Sequence, residues 1–195
     1  MARPAEFDRE LVLDQAKDLF WRQGFRTTTI NDLVHATGMQ PGSLYAAFKN
    51  KENLFLLVIE RYVNDMCAVL KNTFAGYSGG LDGIRGFVDL VRRQAAESDD
   101  WKGCLLVNSM VEFGHEEEGV IQTRLRSAFS ELEQIFARQL NQARADGDLD
   151  SGSDPHQLAS YLLTCLWGLN AIRGSRPDAV KVSAITELML APLHQ

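Results

Sequence analysis

Between Ile121 and Ala143 the apolar residues recur three and four positions apart: Ile121, Leu125, Ala128, Phe129, Leu132, Ile135, Phe136, Leu140 and Ala143. That spacing lays them along one side of a helix for about six turns, a pattern no strand can keep. The rest of the chain shows the same period and no strand-like alternation of any length. Glycine sits at segment ends and only 5 of 195 residues are proline. The expected fold class is all-α.

Capping chemistry divides the chain into about nine helices. The first begins after Asp8, a good N-cap, with Phe7 and Val12 placed as a hydrophobic staple. Val12, Ala16, Leu19 and Phe20 form its inner face, and Gly24 is expected to close it in a left-handed conformation. Thr29 followed by Asp32 reads as a capping box for a short second helix with Ile30, Leu33 and Val34 inside, ended by Gly38. Pro41 suits the first position of a third helix reaching Phe48. Asn50 can cap a long fourth helix reaching about Phe74. Gly76-Tyr-Ser-Gly-Gly80 breaks the pattern. Further helices are expected near 81–97, 103–113, 121–145, 155–172 and 177–190. Two domains are expected, a head at 1–50 and a helical regulatory and dimerisation domain at 51–195.

Net charge is −6, which at first argues against nucleic acid. Residues 1–55 carry seven Lys/Arg and seven Asp/Glu, so the head is neutral and the whole deficit lies beyond it. DNA binding needs a local basic face, not a basic total. The three cysteines, Cys67, Cys104 and Cys165, are widely spaced, so neither a disulfide framework nor a zinc site is expected. No apolar run suits a membrane span, and the first residues lack a signal peptide's apolar core, so a cytoplasmic location is expected.

Two short helices joined by a glycine-containing turn, packed on a longer first helix, make a helix-turn-helix, whose second member enters the major groove. Within residues 38–51 Leu44 and Phe48 point to the core. Gln40, Ser43, Tyr45, Ala46 and Ala47 are left near the groove face, with Lys49 and Lys51 flanking. The lysines read as phosphate contacts or as a solvated face, and Tyr45 as a contact or as a core residue whose hydroxyl reaches water. His35 is given no role. Ala16, Leu19, Phe20, Gly24, Phe25, Thr27, Thr28, Gly38, Gly42, Leu44, Tyr45, Phe48, Lys51, Glu52 and Leu54 together resemble the N-terminal signature of TetR/AcrR-family transcriptional regulators. The resemblance implies a dimeric repressor of double-stranded operator DNA, released by a small-molecule inducer. It implies DNA contacts at Thr28, Thr29, Gln40, Pro41, Gly42, Ser43, Tyr45 and Lys51. Tyr45 and Lys51 would take phosphate; Gln40, Pro41 and Ser43 would read bases. Ala46 and Ala47 depart from the aromatic or histidine side chains many members carry, which points to van der Waals contact, for instance with thymine methyls. Gln40 replaces a frequent serine cap.

The segment 158–172 is apolar almost all round, so it needs cover on more than one side. With the stripe Val182, Ile185, Leu188 and Met189 it suits an intersubunit four-helix bundle, a seam the family resemblance also implies. Leu158, Leu162, Leu166, Leu169, Ile185 and Leu188 are its expected dimer contacts. The fourth helix has two apolar faces: Leu54 and Leu57 toward the head, and Phe55, Val58, Ile59, Tyr62, Met66 and Val69 toward the body. Asn108, Ser109 and Glu112 interrupt an apolar run, and buried polar groups need partners from a ligand, water or another side chain. A ligand site is expected at Tyr62, Met66, Cys104, Asn108, Glu112 and Trp167, with Phe87, Val91 and Phe129 as further wall or plain core. Cys104 opens its helix beside Lys102, which would lower a thiol's pKa. The alternatives there are a thiol-based electrophile or oxidant sensor and a small apolar core residue. His115-Glu-Glu-Glu118 reads as a solvated acidic run rather than a metal site. Nothing resembles a nucleophile–base pair, a phosphate loop or metal-ligand spacing. No enzyme, cofactor or metal is therefore expected. A non-regulatory helical interaction module is the alternative of another class.

Overall fold

A computed structural model describes residues 7–97, 102–114, 119–172 and 178–193. Among them the chain forms nine α-helices and no strand. The head is α1 (Arg9–Gln23), α2 (Ile30–Thr37) and α3 (Pro41–Phe48). The body is α4 (Lys51–Ala75), α5 (Gly80–Glu97), α6 (Leu105–Phe113), α7 (Val120–Asp146), α8 (Pro155–Ala171) and α9 (Ala179–Leu190), closed by a 3₁₀ turn at Ala191–Leu193.

The caps are the ones expected. Asp8 accepts the N–H groups of Glu10 and Leu11, Thr29 and Asp32 form a reciprocal capping box, and Asn50 accepts from Asn53. Gln40 caps α3 with no side-chain hydrogen bond. Two details differ at α1. Phe7, expected against Val12, lies with its ring 6.2 Å from that of Phe48. Gly24 has φ +82° but ψ 169°, so the chain leaves α1 extended rather than in a left-handed turn. The reason lies in the body: Glu112 receives the next two N–H groups.

The α7 stripe is the centre of the body, with Leu125, Ala128, Phe136, Leu140 and Ala143 fully buried. It packs against α4, α5, α6 and α8. At Gly80 a Cβ would lie 2.6 Å from the Ala143 amide nitrogen, so only glycine lets α5 start so close to α7. One apolar core runs from the head into the body. Phe55 of α4 joins them, its ring 4.9 Å from Phe20, 5.0 Å from Phe25 and 6.1 Å from Phe113. The division of α4 into a head face and a body face is therefore not clean: Phe55, assigned to the body, serves both. Val69 is 42% exposed yet still borders the interior of the body.

Candidate nucleic-acid interface and regulatory cavity

Gly38, at φ +66° and ψ 5°, turns the chain between α2 and α3, and Met39 is buried beneath it. Leu44 and Phe48 anchor α3 in the core. Gln40, Pro41, Gly42, Ser43, Tyr45 and Ala46 remain exposed on its other side, while Ala47 is half-buried. That face is small, polar and free of acidic groups, so a backbone bearing it can approach base edges. The far end of α3 is held open by Lys49. Its φ of 66° and ψ of −59°, with Asn50 N–H donating to Phe48 C=O at 2.8 Å, make a γ-turn of the rare, strained kind. The strain sets an exposed Lys49 at the edge of the reading face.

Three of the expected contacts are otherwise engaged. Thr28 is fully buried, its hydroxyl donating to Gly24 C=O at 2.6 Å. The Thr29 side chain is occupied by its capping box with Asp32. Lys51 is half-buried; its ammonium donates to the carbonyls of Phe25 (2.9 Å) and Thr28 (2.8 Å) and lies 4.2 Å from the centroid of the Phe25 ring. These three shape the turn before α2 and seat α4 against it. Gln40, Pro41, Gly42, Ser43, Tyr45 and Lys49 form one exposed surface.

The body contains a cavity of about 510 Å³ walled chiefly by aromatic and aliphatic side chains. Tyr62, Met66, Cys104 and Trp167 line it, as expected, together with Phe87 and Val91. Phe129 stands behind the wall, edge-on to Trp167 at 4.5 Å. Asn108 and Glu112 are not part of it. The Asn108 amide donates to Lys102 C=O at 3.3 Å, and the Ser109 hydroxyl to Leu105 C=O at 2.7 Å. Glu112 points to the head, accepting N–H from Phe25 at 2.9 Å and from Arg26 at 2.5 Å. The polar groups of α6 thus find backbone partners. Sequence reasoning missed Trp21, a wall residue carried by α1 of the head. Its one signal was a second large ring beside the core residue Phe20.

Cys104 is the N-cap of α6, as placed, but its thiol behaves oppositely to expectation. Burial pushes its pKa up, outweighing the Tyr62 hydroxyl, which donates to Sγ at 3.4 Å, and the N–H groups of Val107 and Leu106. Burial likewise raises the Tyr62 phenol well above its ordinary value. The Cys104 side chain is thus buried and stands in the wall of the cavity.

The leucines assigned to the dimer seam divide. Leu162, Leu166 and Leu169 are at most 3% exposed within one chain, and Leu166 also walls the cavity. Leu158 and Ile185 are half-buried, and Leu188 is 72% exposed. The apolar surface left open is Tyr161 and Ile172 on the α8 side, and Val180 and Leu188 on α9. The acidic run 115–118 lies outside the described residues. No cluster among the described residues could hold a metal, and none of their helices is long and apolar enough to cross a membrane.

Residues 12–58 match the model of "Bacterial regulatory proteins, tetR family", and residues 80–179 match "Tetracyclin repressor-like, C-terminal domain". The chain belongs to the TetR family of transcriptional regulators. The HTH-type transcriptional repressor ComR of Escherichia coli (strain K12) is 30% identical over 193 residues, covering 97% of this chain and 91% of that one. A cysteine mutant of the TetR family regulator CifR, complexed with 26-base-pair double-strand operator DNA, superposes with a TM-score of 0.84 at 28% identity, covering 97% and 98% of the two chains. A TetR regulator from Chloroflexus aurantiacus J-10-FL shares the fold with a TM-score of 0.85 at 24% identity, over 96% and 94%. The TetR assignment thus spans head and body alike.

Proposed function

We propose that this TetR-family protein is a ligand-responsive repressor that binds a near-palindromic operator as a homodimer and is released by a small molecule held in the body. In this account residues 1–50 are the DNA-binding head, residues 51–195 carry the cavity and the dimer seam, and the protein works in the cytoplasm. The observation that carries it is the exposed face of α3, acid-free and flanked by Lys49, together with the operator-bound CifR structure to which the chain is similar. Gln40, Pro41, Gly42 and Ser43 read bases or approach them; Tyr45 and Lys49 take phosphate. Lys51 and Thr28 position the reading helix.

Two such heads must lie about 34–36 Å apart to enter successive major grooves. A ligand in the body releases DNA only if it favours the spacing that does not fit. Coupling of about 1–3 kcal/mol, or roughly 5–150-fold in operator affinity, is ordinary for such a device. The burial of Cys104, which raises its thiol pKa, favours reversible ligand binding over thiol modification. The test is operator release by oxidants and by apolar compounds, on wild type and Cys104→Ser. Reversible control leaves the variant's release by apolar compounds intact; oxidant release that vanishes in the variant contradicts it.

A further inference from the structure

The cavity is tied to the head through one charged side chain. Its described wall holds no carboxylate and a single cation, Lys102. The Lys102 ammonium lies 5.7 Å from the centroid of the Trp21 ring, another wall residue, and donates to the Asp18 carboxylate. Asp18 and Trp21 both stand on α1, so this ion pair links the head to the cavity wall across 84 residues of sequence. The Asp18 side chain is half exposed and has a second partner on its own helix, Arg22 at 3.1 Å. Elsewhere in the wall the Tyr62 hydroxyl donates to Cys104, and the Asn170 amide to Leu166 C=O at 2.8 Å.

Charge narrows the class of occupant. A cationic ligand would meet Lys102 with no carboxylate in the described wall to receive it. A neutral molecule would fill the apolar walls and leave the pairing of Lys102 with Asp18 as it stands. A carboxylate can take the place of Asp18. The exchange on Lys102 is like for like: the ligand's carboxylate gives up water, while Asp18, half exposed and beside Arg22, regains it. The flexible four-carbon stem of a lysine lets the ammonium turn from one partner to the other. The rest of the ligand meets apolar surface, where Phe87, Phe136 and Trp167 offer rings for an aromatic body.

We propose that the ligand of this cavity is an aromatic monocarboxylate that takes Lys102 from Asp18 and so unties α1 from the wall. The inference rests on the repressor reading and adds the ligand class and a route to release. One cation in the wall calls for one negative charge on the ligand. A ligand that needs Lys102 binds best to the state in which Asp18 has let go, and that difference in affinity is what allows it to shift the head.

The test is calorimetric titration of the full chain with 2-naphthylacetate, with its neutral amide, and with 2-(2-naphthyl)ethylammonium. Wild type is expected to bind the carboxylate about tenfold more tightly than the amide, the effect of one hydrogen bond to a charged group, and the ammonium compound more weakly than either. Lys102→Gln is expected to lose that ratio. Asp18→Asn removes the competing carboxylate and is expected to raise affinity for 2-naphthylacetate roughly fivefold, the worth of a partly exposed ion pair, with the amide unchanged. A lysine that only supports the fold would not separate the two ligands, and the gain in Asp18→Asn does not depend on how well Lys102→Gln folds. Failure of the carboxylate to bind, equal affinities for carboxylate and amide in wild type, an unchanged ratio in Lys102→Gln, or no gain in Asp18→Asn overturns the proposal. Retention of genomic operator fragments by the ligand-free protein is measured alongside, so failure of the ligand class is distinguished from failure of the repressor reading.

Discussion

The Glu112 carboxylate, near the end of α6, accepts the backbone N–H of Phe25, while the carbonyl of the same Phe25 accepts the Lys51 ammonium of α4. One residue of the head is thus held from both sides by the body. Its ring packs among Phe20, Phe55 and Phe113, so the grip is apolar as well as polar. Because α6 starts at the cavity with Cys104 and ends on Phe25, a displacement at one end reaches the turn before α2 at the other.

Glu112→Ala leaves the Phe25 and Arg26 N–H groups without their carboxylate. A loss of about 1–3 kcal/mol is expected, most of it from the half-buried Phe25. Thermal unfolding should fall by about 2–4 °C per kcal/mol for a chain of this size. Operator release should become less responsive to ligand, measured by fluorescence anisotropy at fixed operator concentration. Unchanged stability and unchanged release would show that the contact transmits nothing.

Lys49 and Lys51 are expected to behave differently although both flank α3. Lys49→Ala should weaken binding to operator and random DNA alike and reduce the salt slope by about one. Lys51→Ala should lower stability, since the carbonyls of Phe25 and Thr28 lose their donor. Denaturant unfolding beside salt-dependent binding separates them; the same loss of salt slope in both would make Lys51 a phosphate contact.

The hydrogen bond from Lys102 to Asp18 is the chief cause holding that carboxyl below its ordinary pKa. A group depressed in the folded state stabilises above its unfolded pKa, here about 3.9, and loses that contribution as pH falls through the folded value. Asp18→Asn should therefore flatten the fall of the thermal midpoint as pH drops below about 5. An equally steep acid loss in the variant would place the sensitivity elsewhere, Asp14 beside Arg61 being the next such group.

Leu188→Glu puts a charge on exposed apolar surface of α9 and should yield a folded monomer by sedimentation, with operator binding lost. Leu162→Glu buries an unpaired carboxylate inside one chain and should unfold it instead. A dimeric Leu188→Glu protein would move the seam away from this face.

Helix limits were legible in the sequence because their signals are local. Asp8, Thr29 with Asp32, Gly38, Pro41 and Asn50 each act within a few residues. Tyr62, Met66, Cys104 and Trp167, expected together at a ligand site from the apolar period, line one cavity. Glu112 was misassigned because its partners lie 86 and 87 residues away, a separation that periodicity cannot see. The leucines of α8 were overassigned to a seam because a helix apolar all round does not reveal which side its own chain covers. The two readings of Cys104 stayed open because helix position, which would lower the thiol's pKa, is visible in a sequence, whereas the burial that raises it is not.

The most direct test of the account is recovery of genomic DNA on the purified protein, with sequencing of the retained fragments and the mass of the complex. The expected result is one shared near-palindromic motif, bound by an even number of chains and altered in preference by Gln40→Ala or Ser43→Ala. Retained fragments with no common motif, or preference unchanged in both variants, would contradict the assignment of α3 as the element that reads DNA.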